Sequence, residues 1–113
     1  MLVSREFRFE AAHRLEEYDG KCEEIHGHSW KVRVTVSAAV GENGLAFDFT
    51  ALEREVEEKV LSELDHSYLN DKIRPPSAEN VALWTWNRLS HLPLCEVKVW
   101  ETPECAVVYD GRE

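Results

Sequence analysis

From Trp30 onward every second residue is apolar: Trp30, Val32, Val34 and Val36 alternate with Lys31, Arg33, Thr35 and Ser37. Only an extended strand collects such a series on one face, so this segment is a strand with one side buried and one side wet. A one-sided strand needs neighbours for its backbone and a second layer over its apolar side. The chain supplies both. Residues 2–13 alternate as well, with Val3, Phe7, Phe9 and Ala11 opposed to Ser4, Glu6, Arg8 and Glu10, and His13 continues the parity of the apolar side. Residues 95–101 set Cys95, Val97 and Val99 against Glu96, Lys98 and Trp100, and after Pro103 the run CAVVY (105–109) makes a last strand. The polar stretch 14–27 is a loop. Gly41-Glu42-Asn43-Gly44 is a turn whose Asn-Gly pair suits positive φ, and 45–49 can return beside the second strand.

The covering layer comes from the middle of the chain. Leu52, Val56, Val60 and Leu64 recur every fourth residue, and Thr50 with Glu53 resembles a capping box, so the spacing predicts a helix over 50–64. Ser77 is the expected N-cap of a second helix that presents Val81, Leu83, Trp84 and Leu89 and ends near Ser90, ahead of Pro93. The order ββ-αα-ββ predicts an α+β domain, an antiparallel sheet with helices on one face. With 113 residues, 1–113 is read as a single domain.

Charge excludes several partners. Thirteen basic residues face 22 acidic ones, a formal net of −9, so a fold-wide basic footprint for nucleic acid is absent and anionic membranes are unsuited. No apolar run approaches the roughly 20 residues of a membrane span, and MLVSREFRFE is charged where a signal peptide is apolar. Three widely spaced cysteines, Cys22, Cys95 and Cys105, imply no disulfide framework, and the expected location is cytoplasmic. Cys95 and Cys105 fall in alternating strand patterns and read as small core residues.

His26-Gly27-His28 opens the second strand. Side chains at i and i+2 share a face, so both imidazoles can point at one ion, and Gly27 leaves room for a close backbone approach. If the first two strands are antiparallel neighbours, His13 lies beside this pair. Three neutral imidazoles at one corner match a catalytic zinc site with an open fourth position; the plainer alternative is surface histidines near a loop. Cys22, four residues before His26, suits either a fourth ligand or a thiol made acidic by a nearby cation. Asp65-His66 follows the first helix: a carboxylate can orient an imidazole for proton transfer, or His66 can merely complement the helix dipole. Glu101 ends the apolar parity of its strand in a carboxylate, which requires a partner, either a ligand rich in N–H donors or an arginine.

Taken in order, Phe9-x-Ala11-Ala12-His13, Cys22-x-x-x-His26-Gly27-His28, Phe47-Asp48-Phe49, Leu64-Asp65-His66-x-x-Leu69-Asn70, Pro76-Ser77-x-Glu79-Asn80 and Glu101-Thr102 resemble the 6-pyruvoyltetrahydropterin synthase superfamily. The resemblance runs from Phe7 to Tyr109 and is strongest to the 6-carboxy-5,6,7,8-tetrahydropterin synthase branch, whose shorter Cys-to-His spacing it shares. Ser77 stands where the family usually has Thr, and Glu23 and Glu24 follow Cys22, near a glutamate that some relatives use in side-chain cleavage.

The resemblance implies the tunnelling fold: a four-stranded antiparallel sheet with two helices on one side, closed into a barrel by three subunits and commonly stacked into a homo-hexamer with active sites between subunits. It implies Zn2+ on His13, His26 and His28, Cys22 as base, Asp65 and His66 as the acid–base pair, and Glu101 with Thr102 at the guanidine-like edge of a pterin. The implied reaction is zinc-dependent conversion of 7,8-dihydroneopterin triphosphate to 6-carboxytetrahydropterin, acetaldehyde and triphosphate, toward 7-deazaguanine (queuosine or archaeosine) tRNA modification. Pyruvoyltetrahydropterin synthesis, aldolase-like cleavage of the side chain, and non-catalytic zinc or pterin binding are the alternatives. Arg14, Lys21, Lys31 and Lys72 are candidate cations for the triphosphate.

Overall fold

The structure is a computed structural model and describes residues 1–16 and 24–112; Cys22, Lys21 and Glu23 lie outside the described residues. Strands β1 (Leu2–His13) and β2 (His26–Ser37) pair antiparallel along their full length, from Leu2↔Ser37 to His13↔His26. Strand β3 is only Ser67–Tyr68, β4 spans Leu94–Thr102 and β5 Cys105–Tyr109. The sheet order is β3-β1-β2-β4-β5. The expected four-stranded antiparallel sheet is therefore corrected to a five-stranded mixed one, because β3 runs parallel to β1 at its edge. The cause is local. His66 adopts φ 57 and turns the chain back, its N–H donates to the Glu10 carbonyl (2.6 Å), and Ser67–Tyr68 then lie against Ala11–Ala12. Two residues are too few to show a period of two in the sequence.

Helical structure runs on from α1 (Phe49–Val56) through a π-helical turn (Glu57–Leu61) into α2 (Ser62–Leu64). Leu52, Val56, Val60 and Leu64 are fully buried, as their spacing requires. The cap differs from expectation. Asp48, not Thr50, caps the helix, its carboxylate accepting from the Thr50 N–H at 2.9 Å. Within the π turn the Lys59 carbonyl accepts from Arg88 Nε (2.9 Å) of α3 (Ala78–Arg88), which ties the two helices together. Ser77 caps α3 as expected, accepting from the Asn80 N–H at 3.1 Å. No strand forms over 45–48. The Leu45 N–H donates to Asn43 Oδ1 and the Leu45 carbonyl accepts from Gly41, so both groups are spent inside the turn. Gly44 supplies the positive φ, +83°, that this turn needs.

Both helices cover the face formed by Phe7, Phe9, Trp30, Val32, Val34, Val97 and Val99, all buried. Phe9 and Trp30 stack with ring centroids 5.9 Å apart, extending the apolar floor to the end where His13 sits. Cys105 departs from its reading as a core residue: it is exposed on the edge strand, and Cys95 is half-buried. Among the described residues no helix is long and apolar enough to cross a membrane.

Candidate metal centre and adjoining grooves

The β1/β2 register brings the histidines together. His13 pairs with His26 and Ala11 with His28, so one end of the ladder carries three imidazoles on the core side. One ligand atom from each lies within 4.8 Å of the others, and the ring centroids are 4.6, 5.1 and 4.8 Å apart. Trp30 packs edge-on beneath His13 and His28 at 5.1 and 5.9 Å.

Hydrogen bonds fix which nitrogens face the cluster. His13 Nδ1 is 2.8 Å from the Pro76 carbonyl, and His26 Nδ1 is 2.9 Å from the Glu24 carbonyl. A carbonyl only accepts, so each Nδ1 carries the proton and each Nε2 is left with a lone pair. His13 is 1 % exposed and its Nε2 has no hydrogen-bond partner. A buried, unpaired acceptor is unfavourable by roughly 1–3 kcal/mol. Three converging neutral imidazoles could hold a metal ion, with backbone carbonyls orienting His13 and His26 from behind. The donor set fits a divalent transition metal.

Glu101 shares the parity of the buried Val97 and Val99 and reaches the same corner. Its Oε1 lies 3.4 Å from His13 Nε2, and its side chain keeps 31 % exposure. A register shift between Trp100 and Thr102 leaves Glu101 as the extra residue of a bulge, a device that re-aims a side chain. Its carboxylate borders two grooves. One is closed by Leu15, Ser77, Ala78 and Cys105, and the other also holds Thr102, His28, Trp100, Arg8 and Lys31. No arginine pairs with Glu101 among the described residues.

Asp65 and His66 sit differently. Asp65 Oδ1 accepts from the Glu10 N–H (3.0 Å), which docks the helix end on β1, while Oδ2 is 3.7 Å from His66 Nε2. The His66 side chain is 81 % exposed, at the mouth of a groove that also has Gly27 and His28 in its wall. Among the described residues nothing crowds Gly27: a Cβ there would meet nothing nearer than the Ala11 carbonyl at 3.8 Å. Of the candidate cations, Lys72 is engaged by Glu63 at 2.6 Å and Arg14 lies 3.6 Å from Glu16, whereas Lys31 lines the groove beside Glu101.

Two supporting residues, quoted in the sequence only as members of motifs, were given no role there. Buried Asn70 accepts from the Arg14 N–H (2.9 Å) and donates to the Arg14 carbonyl (2.7 Å), fixing the chain just after His13. Pro76 orients His13 through its carbonyl. A backbone carbonyl leaves no trace in residue type, so only Asn70, a polar residue beside the apolar Leu69, carried a signal.

Comparison with known proteins converges on the same assignment. Residues 2–112 match the family model for 6-pyruvoyl tetrahydropterin synthase. The chain is 37 % identical to a 6-carboxy-5,6,7,8-tetrahydropterin synthase of Synechocystis, covering 96 % of this chain and 92 % of that protein. It is also 37 % identical to a dihydroneopterin monophosphate aldolase of Pyrococcus furiosus, with 88 % of each covered. The 6-pyruvoyl tetrahydropterin synthase of Caenorhabditis elegans superposes with a TM-score of 0.86 at 27 % identity, covering 99 % of this chain and 96 % of that one. With a fold, a histidine corner and a family model that agree over nearly its whole length, the chain belongs to the 6-pyruvoyl tetrahydropterin synthase family of pterin-processing enzymes.

Proposed function

We propose that the protein is a zinc-dependent lyase that converts 7,8-dihydroneopterin triphosphate and one water molecule to 6-carboxy-5,6,7,8-tetrahydropterin, acetaldehyde and triphosphate. The observation that carries this reading is the three-imidazole corner with Glu101 beside it, 3.4 Å from His13. His13, His26 and His28 would hold the zinc, which as a Lewis acid would make the C–H protons of a bound side chain more acidic. Glu101 would take the pterin's adjacent ring and exocyclic N–H groups in a fork, with Thr102 next to it. The Cys22 Sγ would accept a proton on one side of the substrate, and His66 Nε2, steered by Asp65, would give or take one on the other. His66 is exposed within one chain, which suits a site completed between subunits. The product belongs to a cytoplasmic route toward 7-deazaguanine tRNA bases.

Incubating the purified protein with dihydroneopterin triphosphate and identifying the pterin is the test. The expected product is the 6-carboxy compound. A pyruvoyl or hydroxymethyl product would move the chain to another activity of the family, and pterin binding without turnover would make it a binding protein.

The assembly we propose is a homo-hexamer of two stacked trimers. The sheet ends on β3 at one side and β5 at the other, and an open strand edge presents unpaired N–H and C=O groups. Light scattering is expected to report three or six subunits; a stable monomer at micromolar concentration overturns the shared site.

A further inference from the structure

His13 Nε2 and Glu101 Oε1 face each other at 3.4 Å, and neither has a proton to offer. His13 spends its proton on the Pro76 carbonyl through Nδ1, which leaves a lone pair on Nε2, and an ionised carboxylate only accepts. Nε2 is buried without a hydrogen-bond partner, so the contact does not have the geometry of a hydrogen bond. Among the described residues no other ion pair or hydrogen bond holds the Glu101 carboxylate. Two acceptors this close repel each other unless a cation serves both. The spacing itself is informative. Ligand atoms about 2.0–2.2 Å from a tetrahedral ion stand about 3.3–3.6 Å from one another, and the 3.4 Å contact falls inside that range. The ligand atoms of the three imidazoles are gathered more loosely, within 4.8 Å.

We propose that Glu101 is the fourth metal ligand of the substrate-free protein and that an incoming pterin takes it off the metal. Strand parity puts Glu101 on the imidazole side, and the bulge between Trp100 and Thr102 releases it from the regular ladder. Its side chain keeps 31 % exposure and also borders the groove of Leu15, Ser77 and Cys105. One carboxylate thus stands between the metal corner and a ligand groove. The adjacent ring and exocyclic N–H groups of a pterin call for both of its oxygens in a fork, so ring and ion compete for the same group. The fourth coordination position is closed while the groove is empty and opens once the ring is seated, when a side chain can use it. The ligand role of Glu101 rests only on the corner holding a metal; its release by a pterin rests on the proposed function.

The test loads the full-length protein with cobalt(II) in place of zinc, because the visible absorption of cobalt(II) reports its coordination. Wild type without ligand is expected to show the intense bands of a four-coordinate ion. Glu101→Gln is expected to change that spectrum and to weaken metal affinity at least roughly tenfold in competition with a chelator. With metal in excess its three imidazoles still hold about one ion per chain, and subunit number is unchanged. Identical spectra and affinities in the two proteins overturn the proposal, as does a thiolate-to-cobalt charge-transfer band, which would give the fourth position to Cys22. The second arm needs no variant. Pterin, the ring without a side chain, is titrated into cobalt-loaded wild type and is expected to move its spectrum towards that of Glu101→Gln. Saturation seen by calorimetry with an unchanged spectrum overturns the exchange. Product analysis stands apart from both arms. An unexpected pterin product together with the expected spectra would leave the exchange and remove the proposed reaction. The expected product with identical spectra would do the reverse.

Discussion

The two corners of the candidate site are built in opposite ways. At the histidine corner, His13 is buried, two of the three rings are hydrogen-bonded from behind by backbone carbonyls, and Trp30 supports the cluster from below. At the Asp65–His66 corner the carboxylate is occupied with the β1 backbone, and the imidazole stands in solvent on a left-handed residue. The first corner is finished by one chain. The second is shaped by the chain and left open, which suits the acid–base role and the shared site proposed for it. A fixed ligand set profits from rigidity because metal geometry is exacting, whereas an acid–base group has only to reach its proton.

The sharpest way to break this contrast is to remove imidazoles. His26→Ala or His28→Ala is expected to abolish most of about one zinc per chain, read by metal analysis, while the sheet is retained. Full occupancy in both variants would mean that the corner is not a metal site.

Next in size are the groups proposed for proton transfer. Cys22→Ala and His66→Ala should each leave zinc in place and lower turnover by about 10²–10⁴-fold, the usual contribution of a general acid or base. Loss of zinc in Cys22→Ala would make that cysteine a ligand and the centre a closed structural one. His66→Gly adds a stability readout. Glycine tolerates φ 57 without strain, so the variant should melt no lower than wild type although it is inactive. A clear fall in its thermal midpoint would give His66 a structural role.

Glu101→Gln tests the region between the corners. It keeps the shape but replaces an acceptor by an N–H₂ donor facing a pterin donor, and losing a charge-assisted pair is worth about 1.5–3 kcal/mol. Pterin affinity should fall at least roughly tenfold, measured by calorimetric titration, with zinc content and assembly intact. Equal affinity would assign Glu101 to His13 alone.

Residue order by itself determined the strands β1, β2 and β4, because a period of two over several residues cannot be buried in any other way, and β5 was legible as the short apolar run CAVVY after Pro103. It also determined the histidine corner: i and i+2 share a face, and one antiparallel pairing brings in His13. Glu101 stood out for the same reason, as a carboxylate on an apolar parity. What the tertiary structure decided was everything that rests on backbone polar groups. The fifth strand follows from the Glu10 backbone meeting Asp65 and His66, the orientation of His13 from the Pro76 carbonyl, and the Asp48 cap from which peptide N–H it could reach. The row of Arg8, Lys31 and Trp100 is of that kind too: the three are far apart in the sequence, and only the register of three strands sets them side by side. Side-chain periodicity is written in residue types, whereas peptide N–H and C=O groups are the same at nearly every position, so their pairing becomes visible only once the chain has folded.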